Sequence, residues 1–224
     1  MVLSTRSDTA HHSRVMASSV AVDIRGVTAG YVEDQPVLHG LDLSVPTGGI
    51  TRLVGPNGTG KSTVVELVSG YLRPWSGTVT LWGMPADSIA VRDARRIVRT
   101  APALYEYMTV RDHLALFAKI TGESPEVLVE RAERLGLARW FDENARALSA
   151  GTAKKLWYVL GTAGRPQLYV LDEPFNAVDE TATATMVADL MDLAATRSVL
   201  IVCHAVPAGL LIDQELSIAP KAVR

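Results

Sequence analysis

The sequence predicts an α/β fold: strands gathered into a largely parallel sheet, with a block of helices inserted in the second half of the chain. Short β-rich runs alternate with stretches of helical period along most of the chain. Two continuous apolar runs, residues 168–171 and 199–202, have the character of strands buried on both faces. Residues 100–165 carry helical patterns only, flanked on both sides by strand-rich sequence.

Taken in order, residues 20–25 and 40–45 read as strands, the second with Leu41, Leu43 and Val45 alternating with polar residues. Residues 50–54 form a short β-rich run that stops at Gly55. From Lys61 onward Val64, Val65 and Val68 share one helix face, and Gly70 ends the helix. Residues 78–82 alternate again. A helix over 109–120 begins with the capping sequence Thr109-x-x-Asp112 and places Leu114, Leu116, Phe117 and Ile120 at helical spacing. A second follows over 126–135, with Glu130 and Arg134 one turn apart. A third covers 149–160, and a fourth, over 181–195, joins the two apolar strands. No internal repeat is visible.

Composition narrows the functional classes. With 224 residues, 48% apolar and 21% charged, the chain can bury a substantial core. A net charge of −2 gives no basic field to recruit nucleic acid or an anionic membrane, and no nucleic-acid partner is expected. The single cysteine, Cys203, excludes a disulfide framework and a cysteine-based zinc cluster, and suits a reducing compartment. Mean hydropathy of +0.16 raises the question of a membrane span. The apolar runs 168–171 and 199–203 fall far short of the roughly 20 residues a spanning helix needs. Residues 1–19, rich in Ser, Thr and Arg, read as a disordered tail ahead of a domain over 20–224, and Met16 could serve as a later start. His11 and His12 have no third ligand nearby. Arg92, Arg95, Arg96 and Arg99 read as a solvated face, and Trp75, Trp82, Trp140 and Trp157 as core packing.

The most specific pattern is Gly55-Pro56-Asn57-Gly58-Thr59-Gly60-Lys61-Ser62, followed by Thr63. It fits G-x-x-x-x-G-K-[ST] and lies between a predicted strand and a predicted helix, the context a phosphate-binding loop requires. Glycines at 58 and 60 allow the backbone N–H groups to turn inward around phosphate oxygens. The helix N-terminus adds partial positive charge, Lys61 can reach the β- and γ-phosphates, and the Ser62 hydroxyl suits Mg²⁺. Further on, Leu168-Tyr169-Val170-Leu171-Asp172-Glu173 is a buried strand that delivers two carboxylates at its C-terminal end. Asp172 is placed to hold the metal and Glu173 to polarise an attacking water. A nucleoside triphosphate with Mg²⁺ is the ligand this pair of motifs predicts.

In their order these residues resemble the ATP-binding-cassette (ABC) ATPase family over about residues 20–213. Beside the Walker A loop and the Walker B pair Asp172-Glu173, Tyr31 lies 24 residues ahead of Gly55, where the family's adenine-stacking aromatic lies. Leu148-Ser149-Ala150-Gly151-Thr152 agrees with the signature Leu-Ser-Gly-Gly-Gln at three of five positions and lies 20 residues ahead of Glu173-Pro174. The resemblance implies that Ser149, Ala150 and Gly151 face the ATP of a second copy, that Asp179 belongs to the loop through which two copies communicate, and that His204 contacts the γ-phosphate. It implies a P-loop NTPase core with an N-terminal antiparallel β subdomain and an inserted α-helical subdomain at about 100–165. Two departures stand out. Thr100 occupies the position of a glutamine that helps order Mg²⁺, and Ala150 and Thr152 replace Gly and Gln of the signature.

The resemblance further implies an ATP hydrolase that works as a homo- or heterodimer with separate transmembrane subunits, at the cytoplasmic face of a membrane. The absence of a long segment after His204 points toward export. Two other classes remain at this point: a non-transport or regulatory ABC ATPase with weak turnover, and a soluble factor of translation or repair, which would ordinarily carry two cassettes or long coiled coils.

Overall fold

A computed structural model describes residues 18–218, so the expectations for His11, His12 and Met16 fall outside the described residues. Two sheets organise the chain. The first is antiparallel, in the order β2-β1-β4-β5, built from β1 (Val20–Ala29), β2 (Leu38–Pro46), β4 (Ser76–Leu81) and β5 (Met84–Pro85). The second is parallel, in the order β6-β7-β8-β3-β9, built from β3 (Gly49–Val54), β6 (Arg95–Val98), β7 (Leu168–Asp172), β8 (Ser198–Val202) and β9 (Gln214–Ser217). Helix α1 (Lys61–Val68) follows β3. Helices α2 (Val110–Thr121), α3 (Pro125–Arg134) and α4 (Ala150–Gly161) lie in sequence between β6 and β7, and α5 (Glu180–Ala194) joins β7 to β8.

The two central strands explain why their apolar runs are continuous. Successive side chains of a strand point to opposite faces, so a strand covered on both sides must be apolar at every position. Leu168, Val170, Leu200 and Val202 pack with the antiparallel sheet and α1. Tyr169, Leu171, Val199 and Ile201 pack with α2, α4 and α5 on the other face. The parallel sheet is thus the middle layer of three.

The helical block is tied down at its starts and at its flank. Thr109 and Asp112 form the reciprocal cap the sequence announces, Thr109 Oγ1 accepting from the Asp112 N–H at 3.0 Å and Asp112 Oδ2 from the Thr109 N–H at 3.3 Å. Arg134 does not serve Glu130 one turn back; it pairs with Asp189 of α5 at 3.0 Å, beside Arg131 at 3.6 Å. A nearly buried carboxylate recruits both cations because its own desolvation is costly unless compensated.

Two expectations are corrected. The arginine run is not one solvated face: Arg95 and Arg96 lie in the edge strand β6, Arg95 is only 8% exposed, and of the four only Arg92 is exposed. Of the tryptophans, Trp82 and Trp157 are buried, but Trp75 is 45% exposed. Its ring lies against Gly30, where an added Cβ would approach it to 2.9 Å. Among the described residues no helix is long and apolar enough to cross a membrane.

Candidate functional site

The site begins where β3 ends. Its backbone runs from Val54 through Gly55 into a loop that turns at Gly58 (φ 79°) and Gly60 (φ 97°), both in the left-handed region that favours glycine. Gly60 is doubly constrained, because a Cβ there would stand 2.5 Å from Leu38 Cδ2. Helix α1 starts at Lys61 with Gly60 as N-cap, and no side chain caps it and no acidic residue lies in its first turn. By contrast α2, α4 and α5 are each capped by a side chain, from Thr109, Ser149 and Asp179 respectively. The first-turn N–H groups of α1 are therefore left for an anion from outside the helix.

Around this loop the fold assembles residues that are far apart in sequence. Tyr31, Asn57, Gly58, Gly60, Lys61, Ser62, Thr63, Thr100, Asp172, Glu173 and His204 line one cleft of about 500 Å³. Ser62 Oγ donates to Asp172 Oδ2 at 3.1 Å, across the gap between α1 and the end of β7. Lys61 Nζ donates to the carbonyls of Gly55 at 2.7 Å and Pro56 at 3.0 Å, which keeps the ammonium over the loop. Thr59 Oγ1 donates to the Pro56 carbonyl at 2.9 Å and braces the turn. Tyr31 is 61% exposed, an aromatic face open to the cleft's outer end.

Glu173 is the most constrained member. It is 8% exposed and adopts φ 50°, a conformation uncommon for a residue with a side chain. The backbone is held there by two contacts: its N–H donates to the Val202 carbonyl at 2.8 Å, and its carbonyl accepts from Lys154 Nζ at 2.8 Å. Its Oε1 is buried without a hydrogen-bond partner, and His204 Nε2 stands 3.4 Å from it. A buried carboxylate oxygen without a hydrogen bond is costly and uncommon in a folded chain.

The residues read as a signature lie elsewhere. Ser149 is the N-cap of α4, its Oγ accepting from the Thr152 N–H at 3.2 Å and sitting 2.8 Å from Thr152 Oγ1. Ser149 and Ala150 are exposed and do not line the cleft of Lys61. Gly151 packs so closely on the Ala177 carbonyl that a Cβ would collide with it. Asp179 caps α5, accepting from the Ala182 N–H at 2.8 Å, and takes Lys155 Nζ at 3.1 Å. These two contacts, the backbone bond first, hold its carboxyl below the usual carboxylate range. Thr100 bridges the regions: it lines the cleft and also a hollow of about 420 Å³ shared with Ala150, Lys154, Asn176 and Ala177.

Two participants were not assigned a role from sequence. Arg52 of β3 donates to the Cys203 carbonyl through Nε at 3.2 Å and Nη2 at 3.0 Å, and to the His204 carbonyl at 2.7 Å. Its Nη1 pairs with Glu215 of β9 at 2.7 Å. It thereby pins the loop that carries His204. The available signal was a lone charge inside the β-rich run 50–54. Lys154 stands two residues beyond Thr152 of the signature, and no local pattern in the sequence sets it apart. Burial holds its ammonium below the usual lysine range, while the charges of Glu173 and Asp172 oppose that shift.

The residues fit a triphosphate with its metal: an uncapped helix start, a lysine over a glycine turn, and a hydroxyl beside a carboxylate. Comparison with known proteins agrees. The sequence profile of the family described as "ABC transporter" matches residues 38–176. The chain is 34% identical over 194 residues to the Nod factor export ATP-binding protein I of Rhizobium meliloti, covering 83% of this chain and 57% of that protein. It is 30% identical over 182 residues to the spermidine/putrescine import ATP-binding protein PotA of Nitrosospira multiformis, covering 77% of this chain and 48% of that one. The chain thus spans about half the length of these curated relatives. A solved ATP-binding subunit of an ABC transporter superposes with a TM-score of 0.79 at 25% identity, over 90% of this chain and 88% of that one. The chain belongs to the ABC transporter family, and the relatives it matches are ATP-binding proteins of that family.

Proposed function

We propose that this chain binds Mg-ATP in the cleft between the phosphate loop and the end of β7 and hydrolyses it to power transport through separate transmembrane subunits. The observation that carries this reading is the meeting of Ser62 with Asp172 at 3.1 Å beside a buried, unpartnered Glu173 Oε1 that faces His204 at 3.4 Å. Ser62 and Asp172 would hold the Mg²⁺, which supplies charge neutralisation between the phosphates. The loop N–H groups and Lys61 bind the phosphate chain, and Tyr31 offers its ring to the base. Glu173 accepts the proton of the attacking water, and His204 orients that water and the terminal phosphate.

In this reading the chain works as a pair, with itself or with a related chain. Ser149, Ala150 and Gly151 of one copy approach the ATP of the other, and Asp179 lies on the loop between the two sites. The assembly sits at the cytoplasmic face of the membrane that its transmembrane partners span. Export is the direction we take, on the higher identity to the Nod factor export subunit, 34%, than to PotA, 30%. The substrate carried is left unassigned.

The test is Glu173→Gln. Steady-state hydrolysis should fall about 100- to 10,000-fold, the range for loss of a general base, while binding of labelled ATP persists. Size-exclusion chromatography with Mg-ATP should then show a dimer, since hydrolysis no longer opens it. Undiminished hydrolysis would sink the role of Glu173, and a strictly monomeric variant would sink the homodimer.

A further inference from the structure

The first two turns of α4 grip the segment that follows β7 at three points. Gly151 packs on the Ala177 carbonyl, Lys154 Nζ donates to the Glu173 carbonyl at 2.8 Å, and Lys155 Nζ donates to Asp179 Oδ2 at 3.1 Å. Positions 151, 154 and 155 are three and four residues apart, so they share one face of the helix. Farther along, Trp157 Nε1 donates to the Arg99 carbonyl at 3.0 Å, which ties α4 to the backbone beside Thr100. The helix is therefore fixed on the parallel sheet's edge and on the segment from Glu173 to Asp179 together.

The two lysines are used differently. Lys155 takes a carboxylate, the ordinary partner of an ammonium. Lys154 is 8% exposed, and its hydrogen bond goes to a backbone carbonyl instead. Burying an ammonium is costly, and stability alone would be served as well by an apolar side chain of similar size. What the bond secures is the backbone of Glu173. That residue stands at φ 50° and precedes Pro174, two conditions that narrow its backbone choices. The same carbonyl also accepts from the Asn176 N–H, at a longer 3.5 Å. The direction of a Cβ follows from the peptide groups on either side of it, so whatever holds this carbonyl also aims the Glu173 side chain.

We propose that Lys154 is a positioning residue for hydrolysis: by holding the Glu173 carbonyl it keeps the Glu173 carboxylate aimed beside His204, where the attacking water is activated. This role rests on Glu173 being the proton acceptor proposed above. Lys154 does not line the nucleotide cleft; it lines the neighbouring hollow that it shares with Thr100 and Ala150, and it acts through Glu173 alone. Lys61, Ser62 and the loop amides are untouched by it, so the step it serves is the chemistry and not the binding of ATP.

Hydrolysis of Mg-ATP by the full chain tests this, with Lys154→Met, which keeps the stem and removes the donor, and Lys154→Arg, which keeps a charged donor. Glu173→Gln and the double variant Lys154→Met/Glu173→Gln are measured in parallel. Lys154→Met should lower kcat about 10- to 100-fold, the scale of a misplaced catalytic group, with KM for ATP changed less than about twofold. Lys154→Arg should recover most of the loss, and Lys154→Met should lower the residual rate of Glu173→Gln no further. A kcat for Lys154→Met equal to wild type overturns the proposal, and so does a rise in KM with kcat intact, which would place Lys154 in ATP binding. An equal loss on the Glu173→Gln background overturns it too, as a general effect on the fold, and a Lys154→Arg variant no faster than Lys154→Met does so by showing that the donated bond is not what matters. Glu173→Gln hydrolysing at the wild-type rate would sink the role of Glu173 and that of Lys154 with it, whereas a slow Glu173→Gln beside a fast Lys154→Met sinks Lys154 alone. Should Lys154→Met fail to fold, Lys154→Gln, too short to reach the carbonyl, decides by the same comparisons.

Discussion

Two helix starts in this molecule are finished in opposite ways. At α1, Gly60 contributes no side chain and the first-turn N–H groups are left without an internal acceptor. At α4, Ser149 caps its own helix through the Thr152 N–H, and Thr152 Oγ1 sits 2.8 Å from the same hydroxyl. The α1 start opens into a cleft that already contains Asp172, Glu173 and His204 from the same chain. The α4 start is exposed and faces none of them. The first joins an uncapped helix start to a lysine, two carboxylates and a histidine of the same chain. At the second, the Ser149 hydroxyl takes the Thr152 N–H, and no lysine, carboxylate or histidine of the Lys61 cleft stands beside it.

The sharpest way to break this contrast is Lys61→Ala. Removing the one cation at the α1 start should weaken ATP binding about 100-fold or more, the scale expected when a charged partner is lost from a phosphate site. Equilibrium binding of labelled ATP checks it, and unchanged affinity would mean that the loop amides alone suffice.

Next in size is Arg52→Ala. The loop bearing His204 loses three hydrogen bonds, so kcat should fall about 10- to 100-fold from misplacement of the histidine, with KM for ATP little changed. The same substitution made on a His204→Ala background should have almost no further effect. An equal loss on both backgrounds would show that Arg52 acts through general stability instead.

Thr100→Gln comes third and probes the residue that touches both regions. Glutamine restores the reach that threonine lacks, and kcat should rise several-fold, since a water bridge in place of a direct contact costs at most about 2 kcal/mol. Apparent ATP affinity should stay the same, because Lys61 and the loop amides carry it. A lower kcat with the fold intact would mark Thr100 as adapted to its place.

The smallest effect concerns the cap of α5. Asp179→Ala should destabilise the chain by about 1 kcal/mol, the usual worth of an N-cap side chain, and Asp179→Asn should recover most of it. Because the folded state lowers the Asp179 pKa, through the Ala182 N–H first and Lys155 second, its contribution is present above the ordinary carboxylate pKa. It is lost as pH falls through the lowered folded value. Denaturant titrations of wild type and Asp179→Asn from neutral to acid pH should converge on the acid side.

What could be read from the sequence was whatever depends on local backbone chemistry. Glycines at 58 and 60 ahead of Lys61, the continuous apolar run before Asp172, and the Thr109-Asp112 cap each specify their geometry within a few residues, so motif and element were legible together. The short edge strands β6 and β9 were not, because a strand paired on one side needs no apolar run. Arg95 read as solvent-facing because it stands among other arginines. Its burial depends on the Ser69 carbonyl, 26 residues away, and on the missing Cβ of Gly70. Arg52 is bound to carbonyls 151 and 152 positions distant, Lys154 to the Glu173 carbonyl 19 positions on, and Glu173 acquires its φ of 50° from the Val202 and Lys154 contacts. The local sequence determined which groups could bind phosphate and metal. Only the tertiary structure decided which charges are buried, which are paired and which are left open, because burial and pairing are properties of chain segments that meet in space.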